Sequence, residues 1–315
     1  MTDSAHVRQR DPGDGNRDLS YPPLPEALVV AVYDNHTHLE IADGETALDY
    51  REQLDRASSV GIKGVVQVGT DVETSRWSAE MALREPRMLA AVAIHPNETP
   101  ELDAAGTLDA ALAEIDALAA RPRVRAIGET GLDFFRTAED GRAAQLRAFE
   151  AHIAIAKSHG LALQIHDRDA HAEVISTLLR VGAPEKTVFH CFSGDAEMAR
   201  TCADLGWYLS FAGTVTFKNA APLREALAAI PRDRILIETD APYLTPMPYR
   251  GRPNAPYLVP HTLRAMAEHL ETDVALLAAQ ISSNTELVYG SWNDEPVSQE
   301  QGSPYRPAVD PADIA

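Results

Sequence analysis

Histidine and carboxylate residues occur at short spacings in several places along the chain, in patterns that could bind metal ions. His36 and His38 flank Thr37 in the run Asp34-Asn35-His36-Thr37-His38. In an extended segment both side chains point to the same face, so the two imidazoles can reach one ion. The motif is also a common accident in a chain with 11 histidines, and on its own a polar pair on a loop explains it equally well.

Four further side chains of ligand type come at or just after short apolar runs. They are Glu129 after Ala126-Ile127-Gly128, His166 after Gln164-Ile165, His190 after Val188-Phe189, and Asp240 after Leu236-Ile237-Glu238-Thr239. Taken singly, Glu129 could be a buried acid paired with an arginine, and either histidine could be a hydrogen-bonded core residue. Asp240 is more informative, because an ionised carboxylate beside an apolar strand is costly without a cation or partner. His95 also ends an apolar run and is open to two interpretations, a polar rim residue or a substrate contact.

Eight short apolar runs, each followed by a longer stretch with helical period, would position these side chains. The predicted strands are residues 29–33, 64–68, 89–94, 124–127, 161–165, 187–189, 208–211 and 235–237. Strand-helix alternation favours a parallel sheet, and eight units in about 260 residues are typical of a TIM barrel. The alternative is an open doubly wound sheet, but no Gly-x-Gly-x-x-Gly follows the first run to support it.

In a barrel the carboxyl ends of all strands meet on one rim, where the βα loops build the active site. Four histidines and two carboxylates would converge there. We therefore predict an α/β protein, a single (β/α)8 TIM-like barrel with a metal-binding active site at the C-terminal ends of its strands.

The two ends of the chain differ from this body in composition. Residues 1–29 are rich in Pro, Gly, Asp and Arg, and we expect a largely disordered N-terminal arm. Residues 30–290 would form the barrel. Residues 291–315 are acidic and Pro-rich, which predicts a second tail.

Overall charge and apolar patterning narrow the functional class. The chain has 47 acidic and 28 basic residues, a formal net charge of −19, which disfavours a nonspecific polyanion binder or a long duplex-binding track. The longest apolar run is too short for a transmembrane helix, and the N-terminal residues lack a secretory signal pattern. We expect a cytoplasmic protein with no membrane contact, whose Cys191 and Cys202 are structural thiols.

Several motifs, in order, resemble those of the TatD family of metal-dependent deoxyribonucleases, a branch of the metallo-hydrolase barrel superfamily. The matching segments are Asp34-Asn35-His36-Thr37-His38-Leu39, Gly128-Glu129-Thr130-Gly131-Leu132-Asp133, Ile165-His166-Asp167-Arg168-Asp169-Ala170, His190-Cys191-Phe192-Ser193-Gly194, Gly213-Thr214-Val215-Thr216-Phe217-Lys218-Asn219 and Glu238-Thr239-Asp240-Ala241-Pro242-Tyr243-Leu244. The resemblance spans the barrel and stops at the arm and the tail.

The resemblance implies a centre of two divalent ions bridged by Glu129. His36, His38 and Asp240 would hold one ion with it, and His166 and His190 the other. Magnesium is the expected metal, with manganese or zinc as alternatives, because the site mixes imidazole and carboxylate ligands. The family often has a histidine where this chain has Asn97 and Tyr249, which leaves open the assignment of an acid or phosphate-contacting residue on those loops.

We expect hydrolysis of phosphodiester bonds at DNA 3′ ends, single-stranded or frayed, as in a 3′-5′ exodeoxyribonuclease. Asp240 would act as general base, with Glu129 as the second catalytic residue. Arg168, Lys218 and Arg250 are candidates to bind a neighbouring phosphate, and surface salt bridges explain them equally well.

Two other functions fit the same residues. The site could hydrolyse an amide or ester of a small molecule, or deacylate D-aminoacyl-tRNA, because hydrolysis at a carbonyl needs the same activated water. A non-catalytic barrel that binds a partner is the second alternative, although all six ligand positions hold competent residues and no obligate protein partner is evident.

Overall fold

Eight parallel strands form the centre of the computed structural model, which describes residues 6–11 and 17–293. The strands are Val32–Thr37, Ile62–Val68, Met88–Val92, Val124–Asp133, Ala162–Arg168, Thr187–Phe189, Tyr208–Phe211 and Ile235–Ile237. Each is hydrogen-bonded to its neighbour in the sequence. The first and eighth strands meet through a parallel bridge between Thr37 and Ala241, and this contact nearly closes the barrel. The prediction of a TIM-like barrel is confirmed.

Helices cover the outside of the barrel. The α-helices are Tyr50–Ser59, Val72–Arg84, Thr99–Ala104, Leu108–Ala119, Arg142–His159, His171–Val181, Ala196–Asp204, Ala221–Ala228, Val259–His269 and Val274–Tyr289, and the 3₁₀ turns are Pro96–Glu98, Glu139–Gly141, Gly213–Thr216, Arg232–Arg234 and Pro256–Leu258. The strands are buried because helices pack on one face and barrel side chains on the other. Within the described ranges, no helix is long and apolar enough to cross a membrane.

The strand predictions agree best where the apolar runs are short. The sixth, seventh and eighth strands have the predicted bounds. The fourth strand was predicted to end at residue 127, but it continues to Asp133, with Thr130 paired to Ile165 and Leu132 to Asp167. Polar residues extend this strand because its far end faces the interior of the site instead of solvent.

The N-terminal arm differs from the prediction wherever it is described. Residues Arg8–Gln9 form a short parallel ladder with Ile41–Ala42, and the hydroxyl of Tyr257 donates to the Pro22 carbonyl at 2.6 Å. Residues 6–11 and 17–29 therefore lie against the barrel, held by main-chain pairing that composition does not reveal. Residues 1–5 and 12–16 lie outside the described residues.

The predicted C-terminal tail also begins later than expected. Trp292 is buried, its ring stacks on Tyr33 with centroids 4.0 Å apart, and its indole N–H donates to the Arg87 carbonyl at 3.2 Å. The packed body thus extends beyond residue 290. Residues 294–315, the remainder of the predicted tail, lie outside the described residues.

Candidate metal centre

The six residues predicted as metal ligands all lie at the carboxyl ends of barrel strands. The first strand carries His36, with His38 just beyond it. Glu129 lies in the fourth strand, and His166 lies in the fifth. His190 follows the sixth strand and Asp240 the eighth. The barrel thus gathers side chains that are as much as 204 residues apart in the sequence.

Glu129 stands at the centre, with each carboxylate oxygen turned to a different pair of imidazoles. Its Oε2 is 3.6 Å from His36 Nε2 and 3.7 Å from His38 Nε2. Its Oε1 is 2.5 Å from His166 Nδ1 and 2.8 Å from His190 Nε2. We call these the His36–His38 side and the His166–His190 side.

On the His36–His38 side, ligand atoms surround a common point. The two Nε2 atoms are 3.2 Å apart, and Asp240 Oδ1 lies 3.8 Å from that of His36 and 3.5 Å from that of His38. Ligand bonds of about 2.1 Å around one ion place neighbouring ligand atoms roughly 3.0–3.4 Å apart. The two imidazole nitrogens have this spacing, and the distances to the carboxylate oxygens, 3.5–3.8 Å, are a few tenths of an ångström wider.

The orientation of His38 supports the same interpretation. Its Nδ1 lies 2.9 Å from the Val68 carbonyl oxygen, which can only accept, so Nδ1 carries the proton and the neutral ring turns the lone pair of Nε2 into the site. His36 Nδ1 is buried with no hydrogen-bond partner in the described part of the chain. Two imidazole nitrogens this close, beside two carboxylates, form a donor set suited to a divalent cation.

The His166–His190 side is held from behind by carboxylates. His190 Nδ1 lies 3.1 Å from Glu238 Oε1, and His166 Nε2 lies 3.3 Å from Asp133 Oδ2. Carboxylates in this position fix the tautomer of a metal-binding histidine and raise the basicity of its free nitrogen. His95 joins this side, with Nε2 3.4 Å from Glu129 Oε1.

Among the described residues there are three groups in which the potential ligand atoms all lie within 4.8 Å of one another. They are His36 with His38 and Glu129, His36 with His190 and Glu238, and His95 with Glu129 and His166. Glu129 is shared by two of these sets, one on each side of its carboxylate.

The buried carboxylates and imidazoles of the centre shift one another's pKa values. Burial alone would raise the pKa of Glu129, but the rings of His190 and His95 outweigh it and hold that pKa well below the ordinary value. Burial would lower the pKa of His190, but Glu129 and Glu238 raise it well above the ordinary value. Carboxylates that attract protons onto imidazoles attract metal cations to the same nitrogens, and the two compete.

Asp240 occupies a sharp turn after the eighth strand. Its φ is +53°, a left-handed conformation that aspartate adopts more readily than most residues. Its backbone N–H donates to the His36 carbonyl at 2.9 Å, which ties the turn to the first strand. The side chain is more exposed than that of Glu129, 14% against 6%, so Asp240 is the more open of these two carboxylates to the cleft.

A cleft of about 420 Å³ opens over the centre. Its lining includes Asp240, His166 and Glu129 together with the predicted phosphate contact Arg168. The other two predicted contacts are not among the lining residues: Lys218 is exposed, and the exposed Arg250 packs over the ring of Phe217 at 4.3 Å.

The two positions that depart from the family pattern have different surroundings. Asn97 lines the cleft, and its amide donates to Asp133 Oδ2 at 3.1 Å. Tyr249 packs edge-on against His261, with ring centroids 5.4 Å apart, outside the cleft lining. Asn97 therefore supports a carboxylate behind the centre.

Sequence reasoning missed the carboxylates behind His190 and His166, and left His95 without a partner. Glu238 and Asp133 both lie within the quoted motifs, two residues before Asp240 and four residues after Glu129. In a strand, a spacing of two or four residues keeps side chains on one face. That periodicity was the available signal for Asp133, which lies in the same strand as Glu129.

A parallel barrel with imidazoles and carboxylates gathered at one rim defines the protein as a metal-dependent hydrolase of the TIM-barrel class. A sequence model of the family described as TatD related DNase matches residues 33–290. The chain belongs to the TatD family.

Relatives of known sequence agree with this assignment. The chain is 44% identical over 261 residues to an uncharacterized metal-dependent hydrolase TatD of Mycobacterium tuberculosis, covering 82% of this chain and 97% of the relative. It is 34% identical over 262 residues to the 3′-5′ ssDNA/RNA exonuclease TatD of Escherichia fergusonii, covering 80% and 97%. The crystal structure of YjjV, a TatD homologue from Escherichia coli K12, has the same fold, with a TM-score of 0.75, 24% identity, and coverage of 84% and 100%.

Proposed function

We propose that the protein is a two-metal exonuclease that removes nucleotides from the 3′ end of single-stranded or frayed DNA. The observation that carries this proposal is the position of Glu129, whose two oxygens each face a separate pair of imidazoles. A carboxylate in that position can bridge two ions, and two-ion sites are common among nucleases and phosphatases.

We assign the ligands of the two ions by the side of Glu129 on which they lie. His36, His38 and Asp240 would hold one ion together with Glu129 Oε2. His166 and His190 would hold the other with Oε1, and His95 is close enough to complete that shell. Magnesium is the expected metal, with manganese or zinc as alternatives because imidazole nitrogens form most of the site.

Bound divalent ions would neutralise charge on the phosphate and make the attacking water more acidic. Asp240 accepts the proton of that water, because it is the ligand carboxylate most open to the cleft. Glu129, buried and ionised, keeps the two sets of imidazoles at a fixed separation. Arg168 lines the cleft and can bind the neighbouring phosphate through its planar fork of N–H donors.

The rim of the cleft has features suited to single strands. The guanidinium of Arg168 lies 3.9 Å from the ring centre of Phe135, which is 62% exposed. Tyr243, 37% exposed, also lines the cleft. Exposed aromatic rings beside arginines stack unpaired bases with little sequence preference.

The size and charge of the molecule favour an end of a strand over a long duplex. A cleft of about 420 Å³ is in the range of small-ligand pockets, enough for a terminal nucleotide or two. The net charge of −19 disfavours the basic track that duplex binding needs, whereas bound cations supply positive charge locally.

The test compares labelled substrates on the purified, metal-loaded protein. We expect stepwise shortening of 5′-labelled single-stranded DNA in magnesium, arrest by a 3′-terminal phosphorothioate, and slower attack on blunt duplex. Elemental analysis should give two equivalents of metal per chain. Turnover of small esters, amides or D-aminoacyl-tRNA with no cleavage of DNA would replace the nuclease with the carbonyl hydrolase.

A further inference from the structure

One arginine of the N-terminal arm lies in the cleft above the metal centre. Arg8 lines the same cavity as His38, Glu129 and Asp240. It lies outside residues 33–290, the part of the chain that matches the family. The arm thus adds a cation to a cleft that the barrel alone would form without it.

Main-chain bonds hold Arg8 in this position. The backbone N–H groups of Val7 and Arg8 donate to the Glu40 carbonyl at 2.9 and 3.2 Å, and that of Arg10 donates to the Ala42 carbonyl at 2.9 Å. The guanidinium of Arg10 also lies 4.8 Å from the ring centre of Tyr243. These contacts fix the arm beside the turn that carries Asp240.

The side chain of Arg8 is oriented by a buried carboxylate. Its Nη2 donates to Glu40 Oε1 at 2.7 Å, and the other oxygen of Glu40 accepts from Gln67 at 2.6 Å. Glu40 is fully buried, whereas about a third of the Arg8 side chain, 34%, is exposed. Arg8 Nε is buried and has no hydrogen-bond partner among the described residues, so the donors open to the cleft lie on the exposed third of the side chain. The bond to Glu40 fixes the orientation of the guanidinium.

We propose that Arg8 binds a phosphate of the nucleic-acid substrate beside the metal centre, so that the N-terminal arm contributes to the substrate site. This inference rests on the proposed nuclease function. An arginine held by a carboxylate on one edge offers its other donors to a phosphate with little loss of side-chain entropy. In a molecule of charge −19, each such cation in the cleft matters for a polyanionic strand.

A positioning role is the competing explanation. Glu40 Oε1 lies 3.9 Å from His38 Nδ1, so loss of Arg8 leaves an uncompensated buried charge beside a proposed ligand. Glu40→Gln removes that charge. If Arg8 only neutralises Glu40, this change restores an Arg8→Ala variant; if Arg8 binds phosphate, the double variant remains defective.

The experiment measures binding of a fluorescent single-stranded phosphorothioate oligonucleotide, which resists cleavage, to the metal-loaded protein at several salt concentrations. We expect Arg8→Ala to weaken binding about ten- to a hundred-fold and to reduce the slope of log Kd against log salt by about 0.7, one phosphate contact. Arg8→Lys should keep the slope. The matched control is Arg76→Ala, which removes an arginine–glutamate pair between two outer helices and should change neither quantity.

The outcomes separate this inference from the nuclease proposal. Wild-type binding by Arg8→Ala, recovery in Arg8→Ala/Glu40→Gln, or failure of the wild-type protein to bind the oligonucleotide would each overturn the role of Arg8. Arg8-dependent binding without cleavage of ordinary DNA supports the inference and removes the nuclease. Cleavage of DNA at the same rate and affinity with and without Arg8 supports the nuclease and removes the role of Arg8.

Discussion

The two sides of Glu129 use the same ligand type but support it differently. On the His36–His38 side, His38 is oriented by the neutral carbonyl of Val68. On the His166–His190 side, both rings are backed by carboxylates, Asp133 and Glu238. Barrel geometry supplies imidazoles to both sides, and the difference lies in the residues behind them.

The pKa values of the rings follow this difference only for His36. Burial, together with the nearby His190 ring, lowers the pKa of His36 to about 3. The pKa of His190 is raised by Glu129 and Glu238 in spite of burial, and Asp133 and Glu129 raise that of His166 in the same way. Asp240 and Glu40 raise the pKa of His38 in spite of burial, so of these four rings His36 alone has a lowered pKa. Asp240 gives the His36–His38 side its contact with the cleft.

Removal of the carboxylate shared by both sides should have the largest effect. In Glu129→Gln the two sets of imidazoles lose their common ligand, so we expect loss of both metal equivalents and activity at background. Elemental analysis after gel filtration, with circular dichroism to check folding, measures this. The control is Glu98→Gln, which removes another carboxylate of the same cleft and should leave both metal equivalents bound. Two equivalents of metal retained in Glu129→Gln would contradict the bridging role.

Asp240→Asn should weaken metal binding on the His36–His38 side and leave metal binding on the His166–His190 side intact. Among the imidazoles of the described residues, Asp240 Oδ1 contacts His36 and His38, so the variant should retain the metal of the His166–His190 side. Loss of a general base typically lowers kcat roughly 10²–10⁴-fold. Single-turnover rates and metal content should fall together, and a variant with normal turnover would exclude Asp240 as the base.

Glu238→Gln should weaken the His166–His190 side more than the His36–His38 side, because Glu238 lies 3.1 Å from His190 Nδ1 and only within 4.8 Å of a His36 nitrogen. Loss of a carboxylate behind a metal-binding histidine typically costs 10- to 100-fold in metal affinity, and His190 is the ring that Glu238 contacts. Competition with a fluorescent chelator gives the two affinities. The control is Glu286→Gln, because the Glu286 carboxylate accepts a hydrogen bond from the Tyr33 hydroxyl and lies away from the imidazoles. Equal weakening of both metal affinities in Glu238→Gln would refute the proposed asymmetry.

The barrel and the positions of the six proposed ligands follow from sequence because periodicity and strand order determine them. Short apolar runs such as residues 187–189 and 235–237 were predicted with their observed bounds. A parallel barrel then brings strand ends to one rim whatever their separation in the chain. Convergence of His36, Glu129 and Asp240 therefore required no knowledge of their contacts.

The support behind the ligands could not be predicted in the same way. The pairing of Glu238 with His190 depends on side-chain direction at the rim, and the placement of Arg8 depends on a two-residue ladder between Arg8–Gln9 and Ile41–Ala42. A ladder this short has no periodicity to detect, and the Pro- and Gly-rich composition around it predicts disorder. Contacts of this kind are decided by tertiary packing.

The smallest effect is expected where a neutral group supports the His36–His38 side. Asp34 Oδ1 accepts from the backbone N–H of Thr239 at 2.9 Å and of His36 at 3.3 Å. Burial raises the pKa of Asp34 to about 8, against the hydrogen bonds from Thr239, which favours the protonated carboxyl at neutral pH. Asp34→Asn replaces one neutral group with another of the same shape, and activity at pH 7 should stay close to wild type.

The same change should alter the pH dependence of stability. Between the ordinary pKa of 3.8 and the folded value of about 8, the folded protein keeps a proton that the unfolded chain releases, so Asp34 lowers the free energy of unfolding as pH rises. Asparagine has no such proton. In urea unfolding with chelator present, Asp34→Asn should therefore gain stability relative to wild type from pH 5 to pH 8, and a constant difference would show that Asp34 is already ionised in the folded protein.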